Sequence, residues 1–260
     1  MSRWISPEDA ADAVRQGTGR GVRIAILDSG VEVSHPVLQG LQLVDDVAIV
    51  EDGLQLKVAQ SDGRDVYGHG TAVAGIIRAA APEAELGSIR VLGESLGART
   101  AIILEGAHLA IERGYHILNC SLGCAIPEHV LQYKAWVDEA YLRGVHVVAA
   151  CNNHDFARPE WPGFFTSVLT VNMARTGGEG DVFYKPGHLV EFAARGVDVE
   201  VPWRGGAVKK VTGSSFAAPR VAGLLARLLS VVPEISPVQA KALFHRFATP
   251  WTREVSAPNE

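Results

Sequence analysis

Short, mostly apolar runs alternate along this chain with stretches in which apolar residues recur every three or four positions. The runs 22–27, 86–92, 115–120 and 145–151 have strand length and are mostly apolar, as in strands buried on both faces of a parallel sheet. Residues 167–171 and 189–193 predict further strands. Helical spacing begins at His69 (Val73, Ile76, Ile77), covers 100–113 and 128–142, and closes the chain over 215–230 and 237–247. Ser6-Pro7-Glu8-Asp9 opens an earlier helix with a capping serine, a first-turn proline and acids at the positive end. That helix is expected to run to about Arg15 and stop at Gly17. Residues 41–66 are less regular, and one or two strands with a polar loop (Ser61-Asp62-Gly63-Arg64-Asp65) are expected there. Strands and helices alternating in this rhythm predict an α/β fold, a doubly wound, mostly parallel sheet with helices on both faces. With no internal repeat or linker, residues 1–260 are expected to form one domain, with its core over about 5–247 and a tail from 248.

In such sheets ligands gather at the carboxyl ends of strands, beside helix N-termini. Asp28 ends the first strand and Asn152 follows the 145–151 run, while His69 and Ser215 open helices. Four reactive or polar side chains thus fall on one rim. Ser215 follows the glycine turn Thr212-Gly213-Ser214 and precedes an apolar helical face (Val221, Leu224, Leu225, Leu228, Leu229). A serine at such a helix start either caps it or serves as a nucleophile, since free N–H groups and the dipole favour negative charge there.

Composition narrows the choice. The 260 residues are 47% hydrophobic and 20% charged, enough for one large core. A net charge of -5 without a basic stripe excludes nucleic acid as the expected main partner. No apolar run reaches the ~20 residues needed to span a bilayer, and no basic-then-apolar signal opens the chain, so a cytoplasmic protein without membrane partners is expected. Three cysteines (Cys120, Cys124, Cys151) cannot all pair, and buried reduced thiols fit best. The Cys120–Cys124 spacing with nearby His129 is read as core packing and not as a metal site.

A serine hydroxyl needs a base to take its proton, and that base needs a carboxylate to orient it and stabilise its charged form. Asp28, His69 and Ser215 occur in that order, and the blocks around them resemble the subtilisin-like serine peptidases. Ile24-Ala-Ile-Leu-Asp28-Ser-Gly30 with Ser34-His35-Pro36 is similar to that family's aspartate block. Gly68-His69-Gly70-Thr71-Ala72-Val73-Ala74-Gly75 matches the histidine block, and Gly213-Ser-Ser215-Phe-Ala217-Ala-Pro219-Arg-Val221-Ala-Gly223 the serine block with variations. The resemblance covers about residues 5–247. It implies a serine endopeptidase working on extended peptide or protein substrates through an acyl-enzyme, without a cofactor.

The resemblance also implies finer roles. Val147-Val-Ala-Ala-Cys151-Asn152 is similar to the strand that ends in the oxyanion-hole asparagine, with a simple turn at Asn152 or Asn153 as the bland alternative. Leu118-Asn-Cys-Ser121-Leu122-Gly123 is similar to the segment lining the first specificity pocket, and Leu92 with Leu96-Gly97 would form the opposite edge. Glu160, before Trp161-Pro162-Gly163, falls near the base of that pocket. There it would favour a basic substrate side chain, fill the pocket in favour of small ones, or point to solvent. His35, His108, His116, His129, His146, His154 and His188 carry no motif and are read as structural or surface groups.

The chain departs from the family pattern at Ser214 (usually threonine), Phe216 (methionine), Arg220 (histidine) and Cys151 (glycine). Phe216 is expected to alter rate or narrow access, Arg220 to change packing, and Cys151 to crowd the oxyanion site. Only Arg78-Ala-Ala separates the histidine helix from Ala81-Pro82, where many relatives carry a calcium-binding loop, so no calcium is expected there. An intracellular enzyme of limited processing is the expected role. A non-catalytic peptide binder and an acyl-transferring ligase or macrocyclase are the alternatives.

Overall fold

Each apolar run becomes a strand of one central sheet in the computed structural model, which describes residues 5–178 and 180–252. Seven strands run parallel, in the spatial order β9 (Phe192–Arg195), β7 (Leu169–Ala174), β6 (His146–Ala150), β5 (Ile117–Cys120), β1 (Arg23–Asp28), β4 (Glu85–Arg90) and β2 (Asp45–Asp52). The irregular region 41–66 resolves into β2 and an antiparallel partner, β3 (Gln55–Gln60), at one edge. At the other edge β8 (Phe183–Tyr184) runs antiparallel to β9 and pairs with β12 (Thr249–Pro250).

After β1 the chain builds β2 and β4 on one side, then crosses to β5 and continues away on the other. The carboxyl end of β1 is therefore the point where strand order reverses, and a crevice opens there in sheets of this kind. Side-chain alternation sends Ala25 and Leu27 to one face of β1, against α3 (Thr100–Glu112) and α4 (Val130–Leu142). Ile24 and Ile26 face the opposite core, shared with α1 (Pro7–Gln16), α2 (His69–Ala80), α5 (Ser214–Val231) and α6 (Pro237–Phe247). Asp28 has the parity of Ile24 and Ile26, so it turns toward the face that carries α2 and α5.

The helix boundaries follow the local signals. Ser6 accepts from the Asp9 N–H at 3.0 Å and so caps α1, and a Ser236–Gln239 capping box starts α6. Several strand boundaries differ from expectation. β4 ends at Arg90 because the N–H groups of Val91 and Leu92 both turn to the Asp28 carbonyl. Tyr115 precedes β5, its hydroxyl 2.5 Å from Asp45 Oδ2 and the Arg23 guanidinium 4.5 Å above its ring. β7 runs three residues further than its apolar run, and β9 lies downstream of 189–191. The tail is not wholly outside the sheet, since Thr249 and Pro250 extend its edge.

An antiparallel hairpin, β10 (Val199–Trp203) and β11 (Ala207–Val211), forms a separate two-stranded sheet. Its inner residues Val199, Val201 and Trp203 pack with Ala72, Ile76 and Phe216, so it covers the helices behind the crevice. Among the described residues no helix is long and apolar enough to cross a membrane.

His146 opens β6 fully inside the protein, donating through Nε2 to the Ile235 carbonyl at 3.1 Å while its Nδ1 has no partner. Burial pushes its pKa down to about 4. The unfolded chain therefore binds a proton near pH 6.5 that the native state refuses until about pH 4, so stability falls as the pH drops across that window. The full effect is roughly 3 kcal/mol. Replacing His146 with Gln should flatten this acid-side slope in urea unfolding at pH 7, 5.5 and 4.5; an unchanged slope contradicts the assignment.

Candidate active site

Asp28 sits at the last position of β1 with no exposed surface, and its carboxylate would be costly there without partners. Its Oδ1 accepts the Ser29 N–H at 2.7 Å, and both oxygens lie 2.9 Å from Nδ1 of His69. An ionised carboxylate only accepts, so Nδ1 carries the proton and Nε2 is left with a free lone pair, the form a general base needs.

His69 is placed by the start of α2. Gly68 has φ 116°, and a side chain there would run into the Trp203 indole. A methyl on Gly70 would strike the Gly30 carbonyl and crowd Asp28, so glycine lets α2 approach β1. Asp65, read from sequence only as part of a polar loop, organises this junction. Its Oδ1 accepts from Ser29 Oγ (2.7 Å) and the N–H groups of Tyr67 (2.9 Å) and Gly68 (2.6 Å). Its Oδ2 accepts from the Thr71 N–H (2.8 Å) and hydroxyl (2.7 Å). A carboxylate at the positive end of α2 thus ties that helix to the strand end carrying Asp28. The available signal was an aspartate four residues ahead of His69, at a helix start.

Desolvation lowers the His69 pKa, but the Asp28 charge and hydrogen bond, helped by Asp65, outweigh it and hold the value above the usual 6.5. Phe216 braces the imidazole, with ring centres 5.1 Å apart and planes tilted by 51°. It is buried with the hairpin residues and does not line the crevice, so it supports the base without narrowing access.

Ser215 is presented by the first turn of α5. Ser214 donates its N–H to Asn153 Oδ1 and its hydroxyl to the Cys151 carbonyl, both at 2.7 Å, which clamps the helix start to the loop after β6. Phe216 N–H turns back to the Gly213 carbonyl at 3.1 Å. The Ser215 N–H is left with no acceptor among the described residues, as suits a donor awaiting an oxyanion. Pro219 lacks the N–H that would bond the Ser215 carbonyl four residues back. That carbonyl accepts instead from Ser121 Oγ at 3.0 Å, and Ser121 accepts from the buried Asn119 amide at 3.0 Å. Asn119, Ser121 and Pro219 together set the backbone at Ser215. Arg220 bonds the Arg195 carbonyl at 3.1 Å and so anchors α5 to β9.

A cavity of about 540 Å³ runs past these groups, lined by His69 and Ser215 and by Asn152, Glu160, Leu92, Leu96, Gly97, Ser121, Leu122 and Gly123. The expected site residues therefore meet in one crevice, with Asp28 buried behind His69. Ser215 Oγ makes no hydrogen bond to protein among the described residues, His69 Nε2 included; such contacts are often long until substrate binds. Residues 121–123 lie beyond β5, and the N–H groups of Leu122 and Gly123 bond nothing else among the described residues. The loop residues Leu92, Leu96 and Gly97 line the same crevice. Gly93 N–H closes onto the Gly97 carbonyl at 3.0 Å, and Leu96 takes a left-handed φ of 60° in a tight turn. The Cys124 sulfur lies 3.8 Å from His129 Nδ1, a nitrogen already bonded to the Thr100 hydroxyl at 2.7 Å.

Two outcomes test this geometry. The His69 imidazole should titrate above 6.5 by NMR, and Asp65→Asn should lower its midpoint by removing one of the two stabilising charges. A midpoint at or below 6.5, or one indifferent to Asp65, contradicts it. Ser121→Ala should cost roughly 1–3 kcal/mol in chemical denaturation, because the Ser215 carbonyl is then unpaired. A cost near zero contradicts the assigned bond.

A model of the subtilase family matches residues 19–257. Subtilisin Savinase of Lederbergia lenta is 31% identical over 255 residues, covering 94% of this chain and 90% of Savinase. M-protease of Shouchella clausii (strain KSM-K16) is 31% identical over 94% of this chain, which spans 64% of that relative's length. Among solved structures, a cold-adapted subtilisin-like serine proteinase aligns with a TM-score of 0.74 at 26% identity, over 93% of this chain and 86% of the other. Geometry at the crevice and similarity along almost the whole length agree: this chain belongs to the subtilase family.

Proposed function

We propose that the chain is a serine endopeptidase. The observation that carries the reading is the His69 ring, held by its Nδ1–H against Asp28 and lining the same crevice as Ser215. His69 Nε2 takes the Ser215 hydroxyl proton as Oγ bonds to the substrate carbonyl carbon. The Ser215 N–H and the Asn152 amide receive the negative oxygen. His69 then passes the proton to the leaving amine, the C–N bond breaks, and an acyl-enzyme remains. Water attacks that ester in the same way, giving acid and free enzyme. Asp28 stabilises the imidazolium in both halves without taking the proton. No step needs a cofactor.

An extended substrate suits the open backbone donors of Leu122 and Gly123, as in peptide recognition by strand addition. We assign the enzyme to limited processing of a protein or precursor peptide. Support comes from the crevice, which carries a carboxylate, Glu160, able to discriminate among side chains. A reducing, intracellular setting suits the buried Cys120 thiol and the Cys124 thiol, which lines the crevice.

Incubating the protein with a peptide library and reading products by mass spectrometry tests the proposal. Internal cleavage with addition of water is expected. Ser215→Ala should abolish turnover, and Asp28→Asn should lower kcat by roughly 10⁴. Peptide binding without turnover, or turnover that survives Ser215→Ala, overturns the reading.

A further inference from the structure

Glu160 stands where two demands on the crevice meet. The Asn152 side-chain oxygen accepts from the N–H groups of His154 (2.8 Å) and Asp155 (2.9 Å), and its Nδ2 donates to Glu160 Oε1 at 2.7 Å. Flipping the amide would set NH₂ against two N–H donors and oxygen against a carboxylate, so these bonds define one orientation. A planar amide carries its two N–H bonds about 120° apart. With one directed at Glu160, the other is held away from it, and it has no acceptor among the described residues.

The second carboxylate oxygen, Oε2, makes no hydrogen bond within the described residues. It lies over Gly123, where a methyl group would come within 2.7 Å of it. No arginine, lysine or histidine pairs with Glu160 among the described residues. It is also the only carboxylate lining the crevice there, and no lysine or arginine lines it. A half-buried anion with one occupied and one open oxygen is a receptor for a cation delivered by the substrate.

We propose that Glu160 couples substrate selection to the oxyanion donor. Oε2 receives a lysine or arginine side chain at the residue before the scissile bond, while Oε1 positions the Asn152 amide for the developing oxyanion. Glu160 is thus a specificity-determining residue in its own contact with substrate and a positioning residue through Asn152. The inference rests on the peptidase reading above and adds both the substrate class and the link between pocket and chemistry.

The test compares wild type, Glu160→Gln and Glu160→Ala on peptides identical except for lysine, methionine or glutamate before the scissile bond. Wild type should prefer lysine over methionine by at least ~10-fold in kcat/KM and cleave the glutamate peptide least. Both variants should lose that preference. Glu160→Ala should also lower kcat on the methionine peptide by about 10-fold with little change in KM. That is less than the roughly 10²–10³ known in subtilisin for removing the donor itself, because here the amide is only released. Glu160→Gln should recover most of that kcat, since its side-chain oxygen still accepts from Asn152. In an Asn152→Ala background, Glu160→Ala should cost no further kcat.

No lysine preference, or a Glu160→Ala kcat equal to wild type on the methionine peptide, overturns the inference. So does an equal kcat loss with and without Asn152. If wild type cleaves none of the peptides, the peptidase reading itself falls. Cleavage with indifferent Glu160 variants defeats the coupling alone.

Discussion

Everything in the crevice depends on keeping one carboxylate ionised inside the protein. Asp28 is fully buried, and its charge is held by the Ser29 N–H and the His69 imidazole. That arrangement exists only where a strand end, a helix N-terminus and a second helix N-terminus converge. The sheet provides such a place at β1, where the strand order reverses. Asp65 then locks α2 onto the strand end through five accepted hydrogen bonds, and Ser29 belongs to both networks. Buried polar clusters of this kind are favourable only when nearly every member is satisfied. The site is therefore rigid for the same reason that it is charged.

Ser215 is held by a different device. α5 is nearly all buried and would close its first turn on its own hydrogen bonds, but Pro219 opens one of them. The freed carbonyl of Ser215 is taken by Ser121, which also lines the crevice and is itself held by Asn119. The crevice lining at Ser121 and the start of α5 thus share a hydrogen bond. Asn153 and Ser214 add a second tie, between the loop carrying Asn152 and the helix carrying Ser215. The segments that line the crevice and the start of α5 are joined through backbone that neither side can shift independently.

Much of this was legible in the sequence because it is local. The apolar runs marked the inner strands, the capping serine at Ser6 marked α1, and Asp28, His69 and Ser215 sat in blocks distinctive enough to be read together. What escaped was non-local. The hairpin β10–β11 alternates weakly, with Lys209 and Lys210 on its outer strand, and its role is visible only once Trp203 is seen beneath Gly68. Asp65 looked like loop polarity because its partners are backbone N–H groups that no pattern reveals. Asn153 read as a turn residue beside the expected Asn152, although it holds Ser214. Glu160 was placed near the pocket, but its bond to Asn152 depends on how the loop 152–160 folds back. Residues 92–97 read as loop, but the left-handed turn at Leu96 was not legible, because that conformation contradicts the local preference of leucine, as strained residues near functional sites do.

The proposed peptidase activity requires His69 to activate the oxygen of Ser215. An aryl or alkyl fluorophosphonate reports it directly, because it forms a bond only with an activated hydroxyl and needs no substrate side chain. Mass mapping should find the adduct on Ser215 alone, and His69→Ala, shown to be folded, should slow its formation by at least ~10³. Adducts elsewhere, or a rate that His69→Ala leaves unchanged, would contradict it.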